Sequence, residues 1–167
     1  MRTNKNVEIQ DFPKMTVAYI RHIGPYKGDE KLFEKLWNKL FTWAGPRGLI
    51  GGPNFKSLII YHDDPNVTIQ DKLRMSVCIT VPIDTKVDGE VGKMEIEAGK
   101  YMVARFELSG QEFQQAWEWV YGHWLPTSGV NSKFNFTNFS QFDFTTFLLL
   151  FTLIIVCLNN QKAELFF

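Results

Sequence analysis

From Lys14 to Ile23 the chain reads KMTVAYIRHI, a run of β-branched and aromatic residues that predicts a strand. After a GPYKGD turn, apolar residues recur as Leu32, Phe33, Leu36, Trp37, Leu40 and Phe41, the spacing of a single helical stripe. Asp29 is placed to cap that helix, and Glu30 to suit its first turn. AGPRG closes it, because Pro46 cannot continue a helix. FKSLIIYH and LRMSVCITV predict two more strands, with a turn at Asp64-Pro65-Asn66 in the connection between them.

The pattern then starts again. KYMVARFELSG from Lys100 matches KMTVAYIRHIG from Lys14. In the helix that follows, Phe113, Trp117, Tyr121 and Pro126 match Phe33, Trp37, Phe41 and Pro46 at one constant offset. A repeat of this kind fixes the architecture. It predicts an α+β fold made of duplicated strand-helix-strand-strand units, and two further strands should follow Gly129. In the second helix Phe113, Ala116, Trp117, Val120, Tyr121 and Trp124 form a stripe that must cover a sheet. Ser109 and Glu112 make a capping box at its start. Trp119 lies off that stripe, beside Gln115 and His123, as either a surface indole or one wall of a binding site.

Alternation divides the first strand into Ala18, Ile20 and His22 on one face and Val17, Tyr19, Arg21 and Ile23 on the other. The repeat equivalents are Ala104, Phe106 and Leu108 against Val103, Arg105 and Glu107. The first set is apolar and belongs under the helices. The second mixes aromatic and charged residues, which suits open solvent or a groove for an amphipathic ligand.

Charge and chemistry narrow the classes of function. Eighteen basic and eighteen acidic residues cancel to a formal charge of zero, so there is no electrostatic footprint for nucleic acid and no polybasic membrane patch. Cys78 and Cys157 are too far apart in sequence for a disulfide framework or a zinc motif, which implies a reducing, cytoplasmic setting. Cys78, within a strand, reads as a small buried hydrophobe. His22 falls on the apolar face as a satisfied core or edge histidine, His62 in a turn and His123 on a helix exterior. No pair of histidines has metal-ligand spacing, and no phosphate loop or Ser/Cys nucleophile motif occurs. No cofactor, metal or catalytic residue is therefore predicted.

Four stretches, in order, carry a family likeness: RHIGPY, YHDDPN, DKLRMSVCI and AWEWVYGHWLPTSG. From Val7 to Gly129 the chain resembles the GyrI-like small-molecule-binding domains, which include DNA gyrase inhibitory proteins and the effector-binding halves of multidrug-responsive transcription regulators. The resemblance implies two pseudo-symmetric repeats in a single curved antiparallel sheet, both helices on one face and a ligand groove on the other. It implies bulky, lipophilic, often cationic ligands; some members hydrolyse electrophilic small molecules. The expected protein is a stand-alone binding module for an aromatic, lipophilic cation. Tyr19, Tyr26 and Trp119 would be aromatic walls, Arg21 and Arg105 groove residues, and Glu107 a charge partner. The expected partner is that small molecule, without direct contact to nucleic acid or membrane; DNA gyrase or a transcription regulator would be the protein partner. The alternatives are a DNA gyrase inhibitor and a hydrolase.

The chain departs from the family after Gly129, which suggests a division into a domain at 1–129 and an apolar tail at 130–167. The family's next strand would carry a Phe/Tyr-Glu-Val/Leu-Tyr motif, whose acid meets the ligand's charge. No glutamate occurs here between Val130 and Ala163, while nine of the fifteen phenylalanines do lie beyond Val130. A lost acid counts against hydrolysis more than against binding, because stacking walls survive it. Phe, Leu, Ile, Asn and Lys are what AT-rich DNA yields in an arbitrary frame, so an out-of-frame or replaced end is the preferred expectation. The uncharged run Phe144–Gln161 also admits a short membrane anchor. Alternation at Phe134, Phe136, Phe142 and Phe144 admits substitute strands.

Overall fold

Residues 6–63, 65, 67–107, 113–128, 138–142 and 150–157 are described by the computed structural model. Helix α1 (Glu30–Ala44) starts as its sequence dictates: the Asp29 side chain accepts from Leu32 N at 3.0 Å. It ends where Gly45–Arg47 tightens into a 3-10 turn and Gly48 turns left-handed at φ 66°.

The strands β1 (Asn6–Phe12), β2 (Met15–Ile23), β3 (Ser57–Tyr61), β4 (Arg74–Thr80), β5 (Gly92–Ile96), β6 (Gly99–Glu107), β7 (Asn138–Phe142) and β8 (Leu150–Cys157) form one antiparallel sheet. Their order is β1-β6-β8-β7-β3-β4-β2-β5. The sequence repeat is thus a repeat of topology: β5-β2-β4-β3 mirrors β1-β6-β8-β7 about the β3–β7 seam. β7 and β8 take the two positions that the repeat leaves for strands after Gly129. The turn expected at Asp64-Pro65-Asn66 lies in part outside the described residues, as do Ser109 and Glu112 of the expected capping box.

Two strands, β1 and β5, escape the sequence reading, and they shape the sheet. β1 runs into β2 across Pro13-Lys14, and β5 into β6 across Glu97-Ala98. Asn6 faces Arg105, Phe12 faces Gly99, Met15 faces Ile96 and Tyr19 faces Gly92, so the register stays constant across both junctions. The four strands are therefore one antiparallel ribbon bent in its middle, which carries the sheet back on itself. Lys14 braces the bend by ion pairs to Glu95 at 2.7 Å and Glu97 at 3.8 Å.

Two apolar layers result. On the outer face α1 presses Leu36, Leu40 and Ala44 onto Ala18, Ile20, Ile59, Met75, Val77 and Ile79, as alternation in β2 predicts. On the inner face Val17, Leu58, Ile60, Cys78, Ile96, Tyr101 and Val103 pack together, with Phe12 edge-on to Tyr101 at 5.5 Å. The second helical segment buries Ala116 and Val120. It differs from its counterpart at the proline. α2 (Phe113–Trp119) widens into a π turn at Val120–Trp124 and continues through Pro126 as α3 (Leu125–Thr127). A proline cannot donate to the ladder, and a widened turn just before it is where a helix can absorb that loss.

Candidate functional site

Down β2 the inner face opens toward solvent. Val17 is sealed at 0 %, Tyr19 is half-buried, Arg21 is exposed and Ile23 reaches 62 %. Tyr19 sits where it does because its partner on β5 is Gly92. A Cβ at that position would stand 2.6 Å from the phenol oxygen and 2.8 Å from Cε1, so only glycine lets the ring lie across the strand.

The Arg21 guanidinium carbon lies 4.9 Å from the centroid of the Tyr19 ring, a cation–π contact. Arg21 Nε also donates to Ser76 Oγ at 3.3 Å. Ser76 is fully buried, and its Oγ is 2.9 Å from His62 Nε2, which accepts from it when the ring proton is on Nδ1. Burial first, then the guanidiniums of Arg21 and Arg74, pull His62 down to about 4 against a smaller opposing pull from Asp63. His62 is thus a neutral imidazole at pH 7. Asp63 is engaged elsewhere: Arg74 grips it through Nη2 at 2.7 Å and Nε at 2.9 Å, and that grip holds its carboxyl below the usual range. Cys78, facing Tyr19 across β4, is buried and its thiol is pushed up, so it packs rather than reacts.

Of the six residues singled out from sequence, the structure brings Tyr19 and Arg21 together. Tyr26 packs with the outer layer, its ring 5.5 Å from Tyr61, so the sheet stands between it and Tyr19. Trp119 is half-buried in α2, with its ring 6.2 Å from that of His123. Arg105 and Glu107 hold the positions in β6 that Tyr19 and Arg21 hold in β2; their side chains lie outside the described residues. His22 is satisfied at the sheet edge by the Pro25 carbonyl, 3.0 Å from Nε2. Sequence reasoning passed over Ser76, His62 and Gly92. His62 was within reach, since Leu58, Ile60 and His62 alternate onto the inner face.

A cavity of about 980 Å³ opens on the other side of the sheet, between α1 and the segment leading into β5. Half of its lining residues are charged, and some are paired: Lys39 with Glu90 at 2.6 Å, and Asp88 with Trp43 Nε1 at 2.7 Å and with Arg47, outside the cavity, at 2.8 Å. Ile20, Trp43 and Val91 add apolar surface to that lining, but the Trp43 ring is covered by the Arg47 guanidinium at 4.7 Å, which Asp88 holds in place. Among the described residues no group of three His, Cys, Asp or Glu could hold a metal ion, and no helix is long and apolar enough to cross a membrane.

The model of the GyrI-like small molecule binding domain matches residues 5–136. The chain belongs to the GyrI-like family. Its relatives include the DNA gyrase inhibitor of Escherichia coli (strain K12), 29 % identical over 126 residues that cover 74 % of this chain and 76 % of the relative. The probable transcriptional regulator YgiV of the same strain is 27 % identical, covering 81 % and 86 %. Among solved structures, SAV2435 bound to tetraphenylphosphonium superposes with a TM-score of 0.62 at 15 % identity, covering 91 % of this chain and 93 % of that one, a likeness of fold. The GyrI-like domain described here keeps the family's curved sheet through β7 and β8, in a stretch whose sequence lacks the expected Glu motif.

Proposed function

We propose that this GyrI-like domain binds a lipophilic aromatic cation on the inner sheet face, with Tyr19 as its stacking surface. The observation that carries the reading is the Arg21 guanidinium on the Tyr19 ring: the ring is half-open to solvent and already accepts a planar cation at 4.9 Å. Phe12, Met15 and Met94, partly exposed and packed against the same inner layer, add apolar surface to that face. SAV2435, a protein of the same fold, is bound to such a cation. In this reading Arg105 and Glu107 mark the opposite, two-fold-related end of the face, with Glu107 supplying the negative charge that the missing family glutamate does not. Trp119 serves as an outlying wall, while Tyr26 supports the outer layer. The consequence for a cell is sequestration or sensing of toxic compounds.

Isothermal titration with tetraphenylphosphonium tests it. Saturable binding at micromolar concentration, weakened about tenfold in Tyr19→Leu, is expected. Equal affinity in the two folded proteins would remove Tyr19 from the site. A second reading, inhibition of DNA gyrase, is favoured by the names of several relatives. A supercoiling assay with purified gyrase separates it, since inhibition there needs no small molecule.

A further inference from the structure

We propose that Arg21 is a built-in occupant of the ligand site: its guanidinium holds the Tyr19 ring that a ligand's cation needs, and a ligand enters by displacing it. This rests on the binding reading above and assigns Arg21 the part of a specificity-determining residue rather than that of a ligand contact.

Four observations carry it. Arg21 is exposed, so its side chain can swing into water without crossing packed structure. Its ties are weak beside those of its neighbours. Arg47 and Arg74 are held by Asp88 and Asp63, whereas Arg21 has no carboxylate partner among the described residues and keeps only the ring and one 3.3 Å hydrogen bond. Its departure also abandons nothing. The buried Ser76 hydroxyl retains His62 Nε2 at 2.9 Å, so no orphaned polar group is left behind. His62 is neutral at pH 7, so it adds no second positive charge to oppose an incoming cation.

Displacement makes the site selective. A small hydrophilic cation would only exchange one cation–π contact for another. A cation that also brings apolar surface gains by covering the partly exposed Tyr19 ring and Met94, which pack against the sealed inner layer, and so outcompetes Arg21.

The test is tetraphenylphosphonium titrated into the wild type, Arg21→Met, Tyr19→Leu and the double variant, each checked for cooperative thermal unfolding. Arg21→Gln stands in if Arg21→Met does not fold. Freeing the ring should tighten binding about tenfold in the Tyr19 background, and by less than about twofold in Tyr19→Leu. Affinity of Arg21→Met equal to or below wild type overturns the inference, as does a gain that persists undiminished without Tyr19. Those results leave the binding reading standing. Absence of binding by every folded variant, wild type included, overturns both.

Discussion

Gly92 is the residue on which the position of the Tyr19 ring depends. Gly92→Ala places a methyl group where the phenol end lies, and overpacking of this kind costs about 1–3 kcal/mol. Urea denaturation should show that loss, and tetraphenylphosphonium affinity should fall with it as the ring is pushed aside. His62 makes a second prediction at this scale. Between pH 6.5 and about 4 the unfolded chain protonates this histidine and the folded chain does not, so acid favours unfolding. Its contribution is therefore complete above pH 6.5, falls as the pH drops through that window, and changes no further below about 4. The ring is only partly buried, so screening should leave a change of roughly 1 kcal/mol. The difference in stability between wild type and His62→Gln, followed across pH 7 to 4, should show it; a flat difference would mean His62 titrates normally. Sequence alone could place Tyr19 and Arg21 on one face, because alternation is a backbone property. It could not show that Arg21 folds back onto Tyr19, which depends on the space that Gly92 leaves a strand away.

At the scale of elements, α1 was legible from cap to stop, and its cap is testable. Asp29→Ala removes the acceptor of the Leu32 N–H and should cost about 1 kcal/mol, read as a lower urea midpoint with an unchanged slope. β2, β3 and β4 were equally legible, because two apolar layers demand apolar residues of them. β1 and β5 were not. NVEIQDF and GKMEI carry charges at Glu8, Asp11, Lys93 and Glu95, since the bent ribbon faces solvent along part of its length. Proline was the other failure. Pro126 reads as a stop just as Pro46 does in isolation, but a π turn lets the second helical segment pass through it.

For the whole molecule, the repeat foretold the two strands after Gly129 better than composition did. The phenylalanine-rich end looked foreign to the domain, yet Ser57–Tyr61 pairs with Asn138–Phe142 and Tyr101–Glu107 with the strand at Leu150–Cys157. Whether the division at residue 129 has physical meaning is settled by truncation. A chain ending at Val130 exposes the edges of β3 and β6 and should aggregate or lose cooperative unfolding; a soluble, cooperative 1–130 fragment would show the tail to be dispensable. The expectation of a lipophilic cation came only through resemblance, because no spacing of residues in this chain encodes a ligand. The central claim is the location of that face. We would record intermolecular nuclear Overhauser effects between the phenyl protons of tetraphenylphosphonium and the full chain. Contacts to the Tyr19 ring and the Met94 methyl are predicted; contacts to Trp43 and the Lys39 side chain, in the cavity beside α1, would contradict it.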